Sequence, residues 1–477
     1  ANFAADVTFA DGADIITASA GTDNVRIGAT AGDSIQSGGN YNALFGTNAG
    51  TAITTGSFNT FLGVFSGDAI IDSNSNVAVG YSALSSDTKG AKSVAVGVST
   101  LLNQNFTTAT DTYNVAVGHN AGKAVTTGVF NTLIGALAGD ALTVGGENDV
   151  LGLGALTADT KGSHTVAIGR GTLEAQNFTT ATDVYNVAVG SFAGRNVTTG
   201  IKNIFIGGLA GDATTDADEN VAIGYDSLGT NTVGSASVAV GASALRTQNP
   251  STATQMLNTA IGHFAGFAVT TATHNTLIGA LAGDALTTGS SNVAVGYLAL
   301  STDDVGQHNV AIGRQALENL NIATAANVYN TAVGSTSGAA LTTGTNNTLL
   351  GGQAGKSLTA TEGNTAVGLN ALLSDTNGSR TVAVGRSALG VQNFTTATDT
   401  YNVAVGYFAG VSVTTGVQNT LIGGLAGSSL TTPNQNVAVG HGTLDAETAG
   451  ARNTAIGTNS LTTQNITTGG NSYNVGL

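Results

Sequence analysis

The chain has 477 residues, of which 68 are Gly, 2 are Pro and none is Cys or Trp, and only 9% are Asp, Glu, Lys or Arg. Ordinary globular chains carry roughly 25% charged residues and about 7% Gly, so compact globular domains of the usual kind are not expected, although 41% apolar residues suffice for a core of small, tightly packed side chains. A net charge of −15 with 14 Lys and Arg excludes nucleic acid and anionic membrane as partners, because phosphate binding needs clustered cations, and zero Cys excludes disulfide staples and thiolate metal centres.

From the N-terminus, no cationic segment runs into an apolar one, and no stretch approaches 18 uninterrupted apolar residues. Neither a secretory leader nor a membrane-spanning helix is expected. The chain starts at Ala1 and its single Met is Met256, which reads as a processed or excised piece. Residues 1–23 read as a lead-in and 24–40 as a first repeating rung. Residues 41–472 then read as six 72-residue repeats of four rungs each, and 473–477 as the start of a truncated or terminal rung.

The rung motif is Asn, Val or Thr, an apolar residue, a branched apolar residue, then Gly. It recurs as Asn114 to Gly118, Asn131 to Gly135, Asn186 to Gly190 and Asn402 to Gly406, and the marker Gly has 25 copies between Gly28 and Gly457. The residue four before the marker is Asn in 21 copies, the exceptions being Ser93, Thr165, Ser237 and Thr381. From Gly46 the markers step evenly to Gly63, Gly80 and Gly97, seventeen apart, and then take a step four longer to Gly118. Three short steps and one long one set the 72-residue period. The first two rungs of a repeat continue as Ala-Gly with an apolar residue three positions later (Ala121-Gly122, Val125), whereas the last two usually continue as Ala-Leu or Thr-Leu (Ala155-Leu156, Thr172-Leu173). Each rung is therefore expected to fill its core from one of two positions.

Seventeen residues with Gly inside every unit and no 3.6-residue apolar period exclude an amphipathic helix. They fit one coil of an all-β parallel β-solenoid or β-roll: a short strand, a Gly-permitted corner and a polar turn such as Thr126-Thr127-Gly128. At the strand spacing of ~4.8 Å, 25 such rungs would stack to roughly 120 Å. The recurring Asn predicts a ladder of side-chain amides bonded from rung to rung. In Asn114-Val115-Ala116-Val117, Val115 and Val117 face one way and Ala116 the other. Both faces are apolar, which predicts a sheet covered on both sides and hence a second chain against one of them.

The run of Asn-x-Ala-Val-Gly-x-x-Ala rungs resembles the head repeats of the trimeric autotransporter adhesins, the YadA-like family, and more closely the rung arrays of tailed-phage fibre proteins. Asp6-Val7-Thr8-Phe9 followed by Asp23 to Gly28 is similar to segments that lead into such arrays. The resemblance covers about 450 residues. It implies a homotrimeric fibre whose shaft is exposed on a virion, as part of a tail or capsid fibre beside other virion components, and that contributes to attachment to the host surface. The alternative it implies is a bacterial surface adhesin head that binds host or matrix surfaces. No heptad stalk or membrane β-barrel is written in these residues, which favours the fibre.

No enzyme motif stands out: there is no His-Glu-x-x-His, no phosphate loop and no Gly-x-Ser-x-Gly elbow. No catalytic, cofactor or metal site is expected. His119, His263 and His441 follow marker glycines where Tyr81, Tyr225 and Tyr297 stand elsewhere, so they read as exposed corners. Asp68, Asp140, Asp212 and Asp284 come one per repeat, too sparse for calcium, which needs several oxygens from adjacent turns. The feature that breaks the uniformity is the four-residue insertion in every fourth rung. Such insertions map to loops on one face, and these are rich in Thr, Asn and Asp with one Tyr. Thr108, Asp111 and Tyr113, with Thr180, Asp183 and Tyr185 and Thr396, Asp399 and Tyr401, are candidate surface-contact residues for a cell-surface glycan or other receptor, since hydroxyls and amides pair with sugar hydroxyls. The competing reading is a spacer that closes the outer surface, with Tyr packed on a neighbouring loop.

Overall fold

The computed structural model describes residues 19–477. Asp6 to Phe9, and the lead-in expected over 1–23 up to residue 18, lie outside the described residues. The chain divides into two units, one ending at Glu219 and one beginning at Asn220, and each is a parallel β-solenoid. Among the described residues there is no helix, eleven three-residue strands lie in the first unit and fourteen in the second.

Each three-residue strand is the middle of a rung motif, and successive ones pair in parallel with the register set by the rung length. Val115 stands opposite Thr132, and Val117 opposite Ile134, one short rung on. Across the insertion, Val94 stands opposite Val115 and Val382 opposite Val403, one long rung on. The marker Gly ends every strand for a steric reason. Gly118 has φ +140° and a Cβ there would lie 2.4 Å from the carbonyl oxygen of Gly135; Gly135 has φ +135° and meets Gly152 in the same way. Both the dihedral and the close approach of the next rung demand a residue without a side chain.

The alternation along each strand decides the core. Ala116, Leu133, Val150 and Ala167 are buried in the coil of the first unit, and Leu277, Leu349 and Leu421 in that of the second. The large residue in the second rung explains the Ala-Gly that follows the marker. A Cβ on Gly122 would lie 2.6 Å from Leu133 Cδ1 and 3.0 Å from Leu101 Cδ2, so the space is already taken, and Val125 completes the layer. Where position three is Ala167, the corner supplies Leu173 instead, also fully buried. The expectation of two alternative core positions holds. Each buried Leu contributes about 1.5–3 kcal/mol.

The single chain covers one of the two apolar strand faces and leaves the outward one half-exposed. Val115 and Val117 are half-exposed, and Leu62 and Leu151 at the same outward column are 49% and 45% exposed. A coil this short has one interior, and the single chain covers only that face.

The Asn ladder differs in detail from the expected amide-to-amide chain. Asn131 Nδ2 donates to the carbonyl of Gly145 at 3.0 Å, and its backbone N–H donates to Asn114 Oδ1 at 2.9 Å. Asn186 and Asn402 donate likewise to Gly200 and Gly416, 14 residues on. Each amide thus clasps the turn of its own rung and caps the strand start of the next. A direct amide-to-amide bond adds to this only in some rungs, such as Asn148 Nδ2 to Asn131 Oδ1 at 3.1 Å. Backbone groups win because the turn carbonyl and the strand N–H are buried and would otherwise be unpaired.

Candidate surface-contact site

The insertion in every fourth rung is tethered at both ends rather than free. Phe106 is buried under it, and Thr110–Asp111 forms a short parallel pairing with Gly90–Ala91 of the rung before. The same pairing joins Thr182–Asp183 to Gly162–Ser163 and Thr398–Asp399 to Gly378–Ser379. Beneath it lies a buried polar corner. Asp87 accepts from Gln104 Nε2 at 2.6 Å and from the N–H groups of Gly90 and Phe106, and Gln104 also bonds Ser93 and Asn114. Gln104 reaches the place an Asn side chain would fill, which accounts for the Ser and Thr exceptions at 93, 165 and 381: their hydroxyls take the Gln amide instead.

This anchored base presents the residue before the rung Asn outward in a left-handed conformation. Tyr113, Tyr185 and Tyr401 have φ of 48°, 55° and 49° and are 49%, 52% and 52% exposed. An aromatic residue in this region costs roughly 1 kcal/mol that Gly would not. One rung earlier in the same column stands a cation or His. Lys92 Nζ lies 2.7 Å from Asp111 Oδ2, 2.8 Å from the Tyr113 hydroxyl and 4.8 Å from the Tyr113 ring centroid. His164 stacks on Tyr185 at 5.0 Å and lies 3.4 Å from Asp183 Oδ1 and 3.2 Å from Glu147 Oε2. Arg380 pairs with Asp399 and lies 6.0 Å from the Tyr401 ring. The hydrogen bonds from Lys92 to Asp111 and Tyr113 raise its pKa, and Tyr401, followed by the charge of Asp399, raises that of Arg380. One rung later the first unit adds Phe130, stacked on Tyr113 with centroids 5.7 Å apart.

The structure therefore brings together two of the three residues expected in each loop. Asp111 and Tyr113 share Lys92, and Asp399 and Tyr401 share Arg380. Thr108, Thr180 and Thr396 are exposed at the loop tip, where their carbonyls accept from Thr110, Thr182 and Thr398, and they make no hydrogen bond to the Tyr cluster. Beside the first of these loops opens a recess of about 410 Å³ lined by Asp72, Lys89, Ala109 and Asp111. Sequence reasoning missed the cations. Their signal was present: Lys92, His164, His308, Arg380 and Arg452 each precede a Tyr by one long rung, at Tyr113, Tyr185, Tyr329, Tyr401 and Tyr473. The third repeat departs from the pattern, with Ala236 and Leu257 at these two positions.

His119, His263 and His441 are exposed at corners, as their exchange with Tyr predicted. Asp68, Asp140 and Asp284 are half-buried, each has one carboxylate oxygen without a hydrogen bond, and burial raises the pKa of all three. No group of three or more His, Asp or Glu that could hold a metal occurs among the described residues. No protein-family model matches this chain, and no curated protein matches it.

Proposed function

We propose that this chain is the structural shaft of a virion tail or capsid fibre, a non-enzymatic spacer whose Tyr–cation–Asp clusters add contacts to cell-surface glycans. The single observation that carries the reading is the repetition of an exposed aromatic, charged and carboxylate cluster at a fixed place on a rigid coil. Tyr113 and Tyr185 lie four rungs apart, about 19 Å at the strand spacing. Weak sugar contacts repeated at that interval would act together through avidity. A stacked aromatic face suits the apolar face of a sugar ring, while Asp and Lys suit its hydroxyls.

The outward Val, Ile and Leu column supports a homo-oligomer, which the resemblance to trimeric repeats makes a homotrimer. Exposed contiguous apolar faces of this kind mark association surfaces. A bacterial surface adhesin head is the second reading, favoured by the same cluster if it binds its target without a separate tip. Solution mass with electron microscopy tests the proposal: a trimeric fibre is expected, and a monomer at micromolar concentration would overturn it. Binding to immobilised bacterial surface polysaccharide should fall when Tyr113, Tyr185 and Tyr401 are changed together to Ala, with the fold intact by circular dichroism.

A further inference from the structure

The second residue after each marker Gly forms its own outward column on the corner that follows the strand. It too is left-handed, with φ of 58° at Asn120, 59° at Leu137 and 60° at Phe192. In the first unit this column is interrupted by two successive glycines, Gly154 and Gly171, with φ of 65° and 60°. Two side chains are therefore missing in a row. Phe192 leans into the space over Gly171, where a Cβ would lie 2.8 Å from its ring. Nothing fills the space over Gly154, where a Cβ would meet no atom closer than Thr157 Cγ2 at 3.8 Å. A groove of about 490 Å³ results, and it is lined by charge and apolar surface together.

Arg170 and Arg195 stand with their guanidinium carbons 5.5 and 5.1 Å from the centroid of the Phe192 ring. Arg195 Nε donates to Glu174 Oε2 at 3.0 Å, and its amino groups make no hydrogen bond among the described residues. Arg170 lines the same groove, and its side chain makes no hydrogen bond or ion pair among the described residues. Leu137 and Leu153 line the same groove and are exposed. Two guanidiniums held by an aromatic ring are a preorganised receiver for a carboxylate, which they can bind through paired N–H groups. A carboxylate acceptor and apolar walls beside them suit a ring that has hydroxyls at its edge and C–H groups on its face.

We propose that this groove binds a hexuronate residue of an acidic saccharide, its carboxylate received by Arg170 and Arg195, its ring face resting on Leu137 and Leu153, and its hydroxyls donating to Glu174. Among the described residues two successive glycines interrupt this corner column once, and the groove stands apart from the Tyr column. It is independent of the reading given above for that column. Affinity in this exposed setting falls with salt, because the charge pairing is screened.

The test is calorimetric titration of the full chain with tetragalacturonate, with a neutral galacto-oligosaccharide of the same length, and with inorganic phosphate. Tetragalacturonate is expected to bind with a Kd in the millimolar range or tighter, and the other two at least 10-fold more weakly. Gly154→Leu should fill the groove and lower tetragalacturonate affinity at least 10-fold, and Arg170→Ala should do so as well. Leu already occupies this left-handed column at Leu137 and Leu209, so the first variant is expected to fold, which an unchanged circular dichroism spectrum checks. Tyr225→Ala, an exposed aromatic outside both the groove and the Tyr column, should leave this binding unchanged. Absence of binding by the unaltered chain, equal binding of the neutral oligomer or of phosphate, or full retention in Gly154→Leu overturns the assignment.

Discussion

The buried corner under the second loop and its counterpart two repeats later solve the same problem with different residues. Asp159 accepts from Gln176 Nε2 at 2.7 Å, from the N–H of Gly162 at 3.0 Å and from that of Phe178 at 3.2 Å. At the equivalent place in the second unit, Leu320 replaces the Gln and is fully buried beside Asp303. Asp303 keeps the Gly306 N–H at 3.0 Å and a long contact from Ile322 at 3.4 Å, with Asn309 Nδ2 only at 3.5 Å. Burial raises the pKa of Asp303. Asn309 stands where Thr165 stands in the intact corner, so the lost side-chain amide is partly restored from a second position. The difference teaches that a buried carboxylate in this fold is tolerated by virtue of its donors, and that one apolar substitution takes away its short side-chain donor.

Removing the acid from the intact corner should give the largest effect. Asp159→Ala removes the acceptor of one Gln176 Nε2 hydrogen and of the Lys161, Gly162 and Phe178 N–H groups, and local stability should fall by about 3 kcal/mol or more. Native-state hydrogen exchange at Gly162 and Phe178 checks this better than global melting, because neighbouring rungs of a solenoid unfold semi-independently. Asp303→Ala should cost less, since Leu320 has no donor to leave unpaired. Next in size, Gln176→Leu should copy the second unit's corner into the first and cost about 2 kcal/mol. The reverse change, Leu320→Gln, should stabilise its rung by roughly 1 kcal/mol; a loss of protection there would break the comparison.

The pH dependence has a definite sign. The folded state holds Asp303 above its ordinary value of 3.8, so the protonated form is favoured on folding. Its contribution is complete below that value and is lost as pH rises through the raised one. Protection at Gly306 and Ile322, corrected for intrinsic exchange, should therefore weaken across that window, and Asp303→Asn should flatten the curve. The third repeat already carries Asn231 at this place, accepting from the Gly234 N–H at 3.0 Å and donating to its carbonyl at 2.7 Å. The smallest effect is expected at the surface. Lys92→Ala should leave stability unchanged, because an exposed ion pair contributes little, and a measurable loss of protection would mean that the Tyr column is structural.

The architecture was legible because periodicity is a property of the residues themselves. A Gly recurring at one short and one long interval, with an inward apolar residue two before it, dictates a parallel coil, its register and its core face. The two ways of filling the core were also readable, since the first two rungs of a repeat carry Ala-Gly with an apolar residue three positions later and the last two usually carry Ala-Leu or Thr-Leu. The loop residues were visible as a break in period, but their partners were not. Lys92 and Tyr113 are a full long rung apart along the chain, and only the stacked register places one against the other.

Sequence alone thus determined the fold class, the rung length, the inward column and the place of every loop, because each of these follows from local sterics and side-chain alternation. Tertiary structure decided what the periodic positions do. It directed the Asn amides to turn carbonyls rather than to each other, left the Val and Ile column uncovered, and joined Tyr, cation and Asp across rungs. It also opened a groove where Gly154 follows Leu137 in the corner column. All of these depend on distances between residues that are neighbours only after the coil has closed.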